Sequence, residues 1–206
     1  MSDIPGTASL YEASTHRGAL PSAIAPIWPD AQVMGRALTV QSPPADNLWL
    51  HHAIYRAEPG DVLVVQVSNH HEAGYWGEIM AVAAQVRGLA GLVIDGGVRD
   101  RDAIAALGFP VFARNLCIRG TAKSPIARGS IGAPVTIGAV TIETGDLIVG
   151  DADGVIALRP DEAEATLERA RLRDAREQDI MARLRAGETT LAIYSLPEPG
   201  QQGPRE

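Results

Sequence analysis

Two near-continuous apolar runs, VLVVQV at 62–67, broken only by Gln66, and LAGLVI at 89–94, constrain this chain most, because each follows closely on a segment with helical spacing. A run without apolar–polar alternation suits a strand buried on both faces, which requires covering elements on either side of a sheet. Ahead of the first run, residues 47–57 read as a helix ended by the turn Glu58-Pro59-Gly60-Asp61. Ahead of the second, residues 76–87 place Ile79, Met80, Ala83 and Val86 on one side and stop at Gly88. The implied architecture is α/β alternation. It continues as a short helix over 99–107 closed by Gly108 and a strand over 109–112.

Upstream, a short helix near Tyr11–Ser14 and a strand over 33–40 are expected. Downstream, segments at 131–135, 139–142, 146–149 and 154–158 read as brief strands between glycine turns, a small β layer. Pro160 then opens a long amphipathic helix to about Leu184, with Asp161 and Glu162 matched to its positive end. One domain over 1–195 and a flexible tail over 196–206, rich in Pro and Gly, complete the expected organisation.

Composition excludes several function classes. The net charge of −7 and the lack of any basic run argue against nucleic-acid binding. Cys117 is the single cysteine, so neither an intrachain disulfide nor a cysteine zinc site can form. The N-terminal residues lack a basic segment leading into an apolar core. No stretch approaches the roughly 20 apolar residues that span a bilayer, so a cytoplasmic protein without membrane contact is expected.

The chemistry concentrates between Gly77 and Lys123. Gly77-Glu78-Ile79-Met80 opens a helix after a loop rich in His and Gly. The unpaired N–H groups there, with the helix dipole and the small Gly77, suit a substrate carboxylate. The same residues would also serve as an ordinary helix start. Arg99-Asp100 follows a buried strand and the glycine pair Gly96-Gly97, read as a turn, at the sheet end where α/β proteins place ligand groups. Arg99 offers a fork of donors for an oxyanion, and Asp100 a hard oxygen for Mg²⁺, which keeps several waters. The plainer alternative makes Asp100 the cap of its own helix and Arg99 a solvated side chain.

Taken together, these residues resemble the class II pyruvate aldolases of the 4-hydroxy-4-methyl-2-oxoglutarate and 4-carboxy-4-hydroxy-2-oxoadipate type, and their relatives, the regulators of ribonuclease E activity. The resemblance covers PGDVLVV at 59–65, WGEIMAVAAQVRGLAGLVIDGGVRD at 76–100, LGFPVFAR at 107–114, RGTAK at 119–123, TGDLIVGDADGVIAL at 144–158 and LRAGETTLAIY at 184–194. Its signature is an acidic residue, twenty intervening positions and Arg-Asp, matched by Glu78, Arg99 and Asp100.

The resemblance implies a β/β/α swivelling-domain (phosphohistidine-domain-like) fold with a long C-terminal helix, assembled as a homotrimer or hexamer with the site at a subunit boundary. It further implies Mg²⁺ or Mn²⁺ on Asp100, mainly through waters. A pyruvyl carboxylate would lie on the N–H groups of residues 77–80, with Arg99 on the 2-oxo oxygen and Glu78 steering a water. Thr121 and Lys123 would line the site, with Lys123 meeting a second carboxylate. The family's usual acidic residue is Asp where this chain has Glu78, which bears on rate and substrate choice. The implied activity is metal-dependent cleavage of a 4-hydroxy-2-oxo dicarboxylic acid to pyruvate, with oxaloacetate decarboxylation through the same enolate. The rival is a non-catalytic, acidic protein-binding regulator. A methyltransferase has no support, since no strand leads into a GxGxxG-like loop.

The histidine pairs suggest no metal site: His51 and His52, adjacent on a helix, point about 100° apart. His70-His71 lies in the loop before Gly77, where contact with substrate or a neighbouring subunit is open. Asp151-Ala152-Asp153-Gly154 lacks the later Glu of a calcium loop and reads as a hairpin turn.

Overall fold

The structure, a computed structural model, describes residues 4–199. Helix α1 (Thr7–Ala13) leads to the short β1 (Ala25–Pro26) and the long β2 (Val33–Gln41). Then come α2 (Leu48–Arg56), β3 (Asp61–Gln66), β4 (Gly74–Trp76), α3 (Glu78–Val86), β5 (Gly91–Val98), α4 (Arg101–Leu107) and β6 (Val111–Leu116). The second half holds β7 (Ser130–Ile131), β8 (Val135–Ile137), β9 (Val140–Ile142), β10 (Leu147–Asp151), β11 (Gly154–Leu158), α5 (Pro160–Arg185) and α6 (Thr190–Ile193). Residues 200–206 of the expected tail lie outside the described residues.

The two apolar runs form the centre of the sheet, ordered β1-β6-β5-β3-β2-β10-β11. β2, β3, β5 and β6 are parallel, while β1, β10 and β11 pair antiparallel at the flanks. Every residue of β5 is buried, as a central parallel strand requires. One face packs under α2, α3 and α4 around Leu63, Val65, Ile94, Trp76 and Met80. The opposite face encloses Val62, Val64, Val93 and Phe112 together with Val135, Ile137 and Ile142 of the β8–β9 hairpin. The segment before β1 bridges Ala19 to Ile156 of β11, so the curled sheet almost closes on itself. The result is a mixed α/β fold of two β layers with helices outside.

The expected separate β layer is corrected in one respect. β10 and β11 extend the main sheet through pairing with β2, and the hairpin β8–β9 is separate. Asp151 and Gly154 close the β10–β11 hairpin, as the turn chemistry predicts. The Asp151 carboxylate also accepts from the Thr7 N–H at 2.8 Å, capping α1.

Among the described residues no helix is long and apolar enough to cross a membrane. α5 buries apolar surface on α1 and β11 through its first half, with Ala163, Thr166 and Ala170 buried and Leu172 exposed, and Arg173 and Asp174 add polar contacts to Glu12 and Ser9 of α1. At 26 residues the helix is about 39 Å long, so its distal turns stand clear of the sheet.

Candidate active site

The glycine pair at 96–97 forms no turn; both residues belong to β5, which runs on to Val98. Its pairing with β6 shifts register between Ile94 and Gly97, a bulge that redirects the strand end. A side chain at Gly97 would collide with the Ala73 carbonyl, because β4 runs parallel against this end of β5. The glycines permit that close approach. β4 and β5 thereby deliver Gly77 and Arg99-Asp100 to the same place, and the Arg99 N–H donates to the Trp76 carbonyl at 2.9 Å.

Asp100 precedes α4 in the left-handed region, with φ 61° and ψ 36°, and its side chain does not cap that helix. Oδ2 instead accepts from the Glu78 N–H at 3.1 Å, so Asp100 satisfies a donor at the start of α3. Arg99 Nε lies 3.6 Å from the same oxygen. A Cβ at Gly77 would press on the Asp100 carboxylate and on the Arg99 side chain, so Gly77 preserves the packing of all three. Met80 and Ala81 donate to the Gly77 carbonyl, while helix geometry leaves the Ile79 N–H without an intrahelical acceptor.

These residues line a cleft of about 230 Å³. Gly77, Ile79, Met80, Arg99 and Asp100 form one wall; Thr121 and Lys123 stand on the other with Gly120, Asn47 and His51. Glu78 contributes its backbone to this end of α3, while its side chain is exposed and does not line the cleft.

Sequence reasoning missed Asn47 and weighed His51 only as a metal ligand, setting it aside. Asn47 immediately precedes α2 and His51 lies one turn later, so the i, i+4 spacing that puts both on one face was present in the sequence. Asn47 Nδ2 donates to the Tyr75 carbonyl at 2.9 Å, which turns Oδ1 the other way. That oxygen and His51 Nε2 are both buried and without a hydrogen-bond partner among the described residues. Buried polar atoms without partners are costly, and two in one cleft are what a polar ligand would satisfy. Burial lowers the His51 pKa, and the charge of Lys123 lowers it further, so the imidazole is held neutral.

The other candidates lie apart. His52 lines a different surface depression with Trp49 and Arg56. His70 is exposed, its carbonyl accepting from the Tyr75 hydroxyl. His71 Nε2 approaches Asp95 Oδ1 to 3.8 Å, beside the Arg114–Asp95 ion pair. Among the described residues no three His, Cys, Asp or Glu side chains converge into a metal cage.

Residues 7–157 match the family model described as RraA-like, Aldolase/RraA. A Halalkalibacterium halodurans protein with the provisional name of 4-hydroxy-4-methyl-2-oxoglutarate aldolase is 40% identical over 180 residues, which cover 87% of this chain and 83% of that protein. Among solved structures, an uncharacterized protein from Pseudomonas syringae pv. tomato superposes with a TM-score of 0.78 at 31% identity, covering 90% of both chains. The RNA-processing inhibitor RraA from Thermus thermophilis shares the fold, with a TM-score of 0.68 at 24% identity over 75% of this chain and 92% of that one.

Proposed function

This chain belongs to the RraA-like Aldolase/RraA family, and from that premise we propose that it is a lyase that forms pyruvate from a 4-hydroxy-2-oxo dicarboxylic acid, and from oxaloacetate, through one enolate. The observation that carries the reading is the convergence of the Arg99 guanidinium, the Asp100 carboxylate and the first turn of α3 on one wall of a cleft whose opposite wall is polar.

A divalent ion, Mg²⁺ or Mn²⁺, suits this wall. Such hard cations accept one or two protein carboxylates and retain water. Asp100 offers one solvent-accessible carboxylate, and Gly77, lacking a Cβ, lets that carboxylate sit against the start of α3. When bound at Asp100, the ion supplies Lewis acidity toward the 2-oxo and carboxylate oxygens of the substrate.

The chain's own groups divide the remaining work. The Ile79 N–H and the α3 dipole hold the substrate carboxylate. Arg99 donates to the 2-oxo oxygen and neutralises the charge that grows there as the enolate forms. In aldol cleavage the C3–C4 bond breaks toward the enolate while the 4-hydroxyl loses its proton and becomes a carbonyl. Glu78, at the solvent side of the same turn, would accept that proton through water and return one to C3. In decarboxylation CO₂ leaves and the same enolate is protonated. Thr121 and Lys123, with His51 in its Nε2–H form, would receive the far carboxylate, and Asn47 Oδ1 would accept from a substrate hydroxyl.

A homotrimer or hexamer is part of the proposal. Ile79 in the cleft wall, Ile118 in the depression beside Arg99 and Val86 at the far end of α3 are 82%, 92% and 81% exposed, and apolar surface of this kind is normally covered. The single cysteine supports a cytoplasmic location.

The test is pyruvate release from oxaloacetate and from 4-hydroxy-4-methyl-2-oxoglutarate, coupled to lactate dehydrogenase, with Mg²⁺ or Mn²⁺ and then with excess chelator. Metal-dependent pyruvate is expected. No pyruvate from either substrate with metal present would overturn the lyase reading and favour a protein-binding regulator, which the fold shared with an RNA-processing inhibitor makes the next candidate.

A further inference from the structure

The polar wall of the cleft comes from two separate pieces of chain, and one buried carboxylate joins them. Asp46, 3% exposed, lies just before α2. Its Oδ1 accepts from the Leu48 N–H at 2.9 Å, at the first residue of α2, and its Oδ2 accepts from the Ser124 N–H at 2.6 Å. Between these contacts, Asp46 bridges Ala122 in parallel β fashion. The Ala122 N–H donates to the Ala45 carbonyl at 2.8 Å, and the Asn47 N–H donates to the Ala122 carbonyl at 3.1 Å. Residues 119–124 otherwise form no regular element.

The Asp46 end of the clamp is itself fixed. The Ser42 hydroxyl donates to the Asp46 carbonyl at 2.7 Å, and the Tyr75 hydroxyl accepts from the Ala45 N–H at 2.8 Å while donating to the His70 carbonyl. Burial pushes the Tyr75 pKa up, so the phenol keeps the proton that second contact needs.

We propose that Asp46 is the positioning residue of the cleft: its carboxylate clamps residues 119–124 onto the start of α2 and thereby holds Lys123 and Thr121 beside Asn47 and His51. The consequence for function rests on the reading that this cleft binds substrate; the positioning itself does not. Hydrogen bonds from backbone N–H groups to a buried carboxylate are among the stronger ones in a protein. An amide in its place keeps one acceptor and turns a donor toward the other N–H, so Asp46→Asn releases one side of the clamp.

The experiment follows the His51 imidazole by NMR in histidine-labelled protein, the resonance assigned with His51→Gln. In the unaltered chain His51 titrates below the ordinary histidine value of about 6.5. In Asp46→Asn the midpoint is expected to move up toward that value, as Lys123 and its loop withdraw. The KM for the 4-hydroxy-2-oxo dicarboxylic acid is expected to rise by about tenfold with a smaller change in kcat, the pattern of lost binding interactions. Should Asp46→Asn fail to fold, Ala122→Pro removes the N–H that bonds Ala45 and is expected to move His51 the same way. A folded variant whose His51 titrates as in the parent overturns the proposal. If the midpoint moves but no pyruvate forms in any variant or in the parent, the clamp stands and the lyase reading fails.

Discussion

Asp100, at the end of β5, accepts a hydrogen bond from the N–H of Glu78 at 3.1 Å, so the residue with the hardest oxygen in the cleft also caps the helix on which the substrate carboxylate would sit. Loss of the cap and loss of the charge are separable. Asp100→Asn keeps a cap acceptor and a residue that tolerates φ 61°, and is expected to fold with nearly the parent Tm while losing metal-dependent turnover. Asp100→Ala removes cap and charge and strains the left-handed backbone. It should cost about 2 kcal/mol, or several degrees in Tm, as well as the activity. Calorimetry and the coupled pyruvate assay read the two effects; an active Asp100→Asn would remove Asp100 from metal binding.

Gly77→Ala places a methyl group against the Asp100 carboxylate and the Arg99 side chain. The backbone at Gly77, φ −151°, is open to any residue, so the stability cost should be limited to the displaced Asp100 cap, about 1 kcal/mol. Displacement of the two side chains is expected to lower kcat/KM by roughly a hundredfold. Equal kcat/KM in parent and variant would mean that their packing is not used.

Arg99→Lys retains a positive charge and loses the planar fork. If Arg99 stabilises the enolate oxygen, kcat should fall by about two to three orders of magnitude with a small change in KM. A drop confined to KM would assign Arg99 to substrate binding alone.

His51 provides a signature in stability against pH. Its pKa is lowered in the folded chain, first by burial and then by Lys123, so between the folded value and about 6.5 the unfolded chain binds more protons. Stability from the neutral, buried ring is therefore present above about pH 6.5 and is lost as pH falls through the folded value. Thermal melts from pH 7.5 to 5.5 should drop more steeply for the parent than for His51→Gln. Parallel slopes would contradict the environment described for His51.

Much of this was readable from the residues. The apolar runs gave β3 and the start of β5, and the glycine at the start of α3 and Arg99-Asp100 after a buried strand marked the cleft wall, because these are local signals. What escaped depends on contacts distant in sequence. β1 and β4 are two and three residues long and exist only through pairing with β6 and β5. Gly96-Gly97 has the composition of a turn, yet the pair serves strand packing against residues 67–73, which local chemistry does not encode. Asp100 looks like the cap of α4 and caps α3, because β4 and β5 end side by side. His51 was set aside as a metal ligand together with His52, which lines a different depression, and its burial beside Lys123 depends on contacts between residues 45–48 and 122–124.

The most direct measurement of the central claim is exchange of the pyruvate methyl protons in D₂O, followed by proton NMR with Mg²⁺ or Mn²⁺ present. It asks for the enolate alone, free of the choice between aldol cleavage and decarboxylation. The account predicts metal-dependent exchange by the parent chain and near-complete loss in Arg99→Lys and Asp100→Asn. A folded parent chain that leaves the methyl signal undiminished, or exchange that survives in both variants, would contradict it.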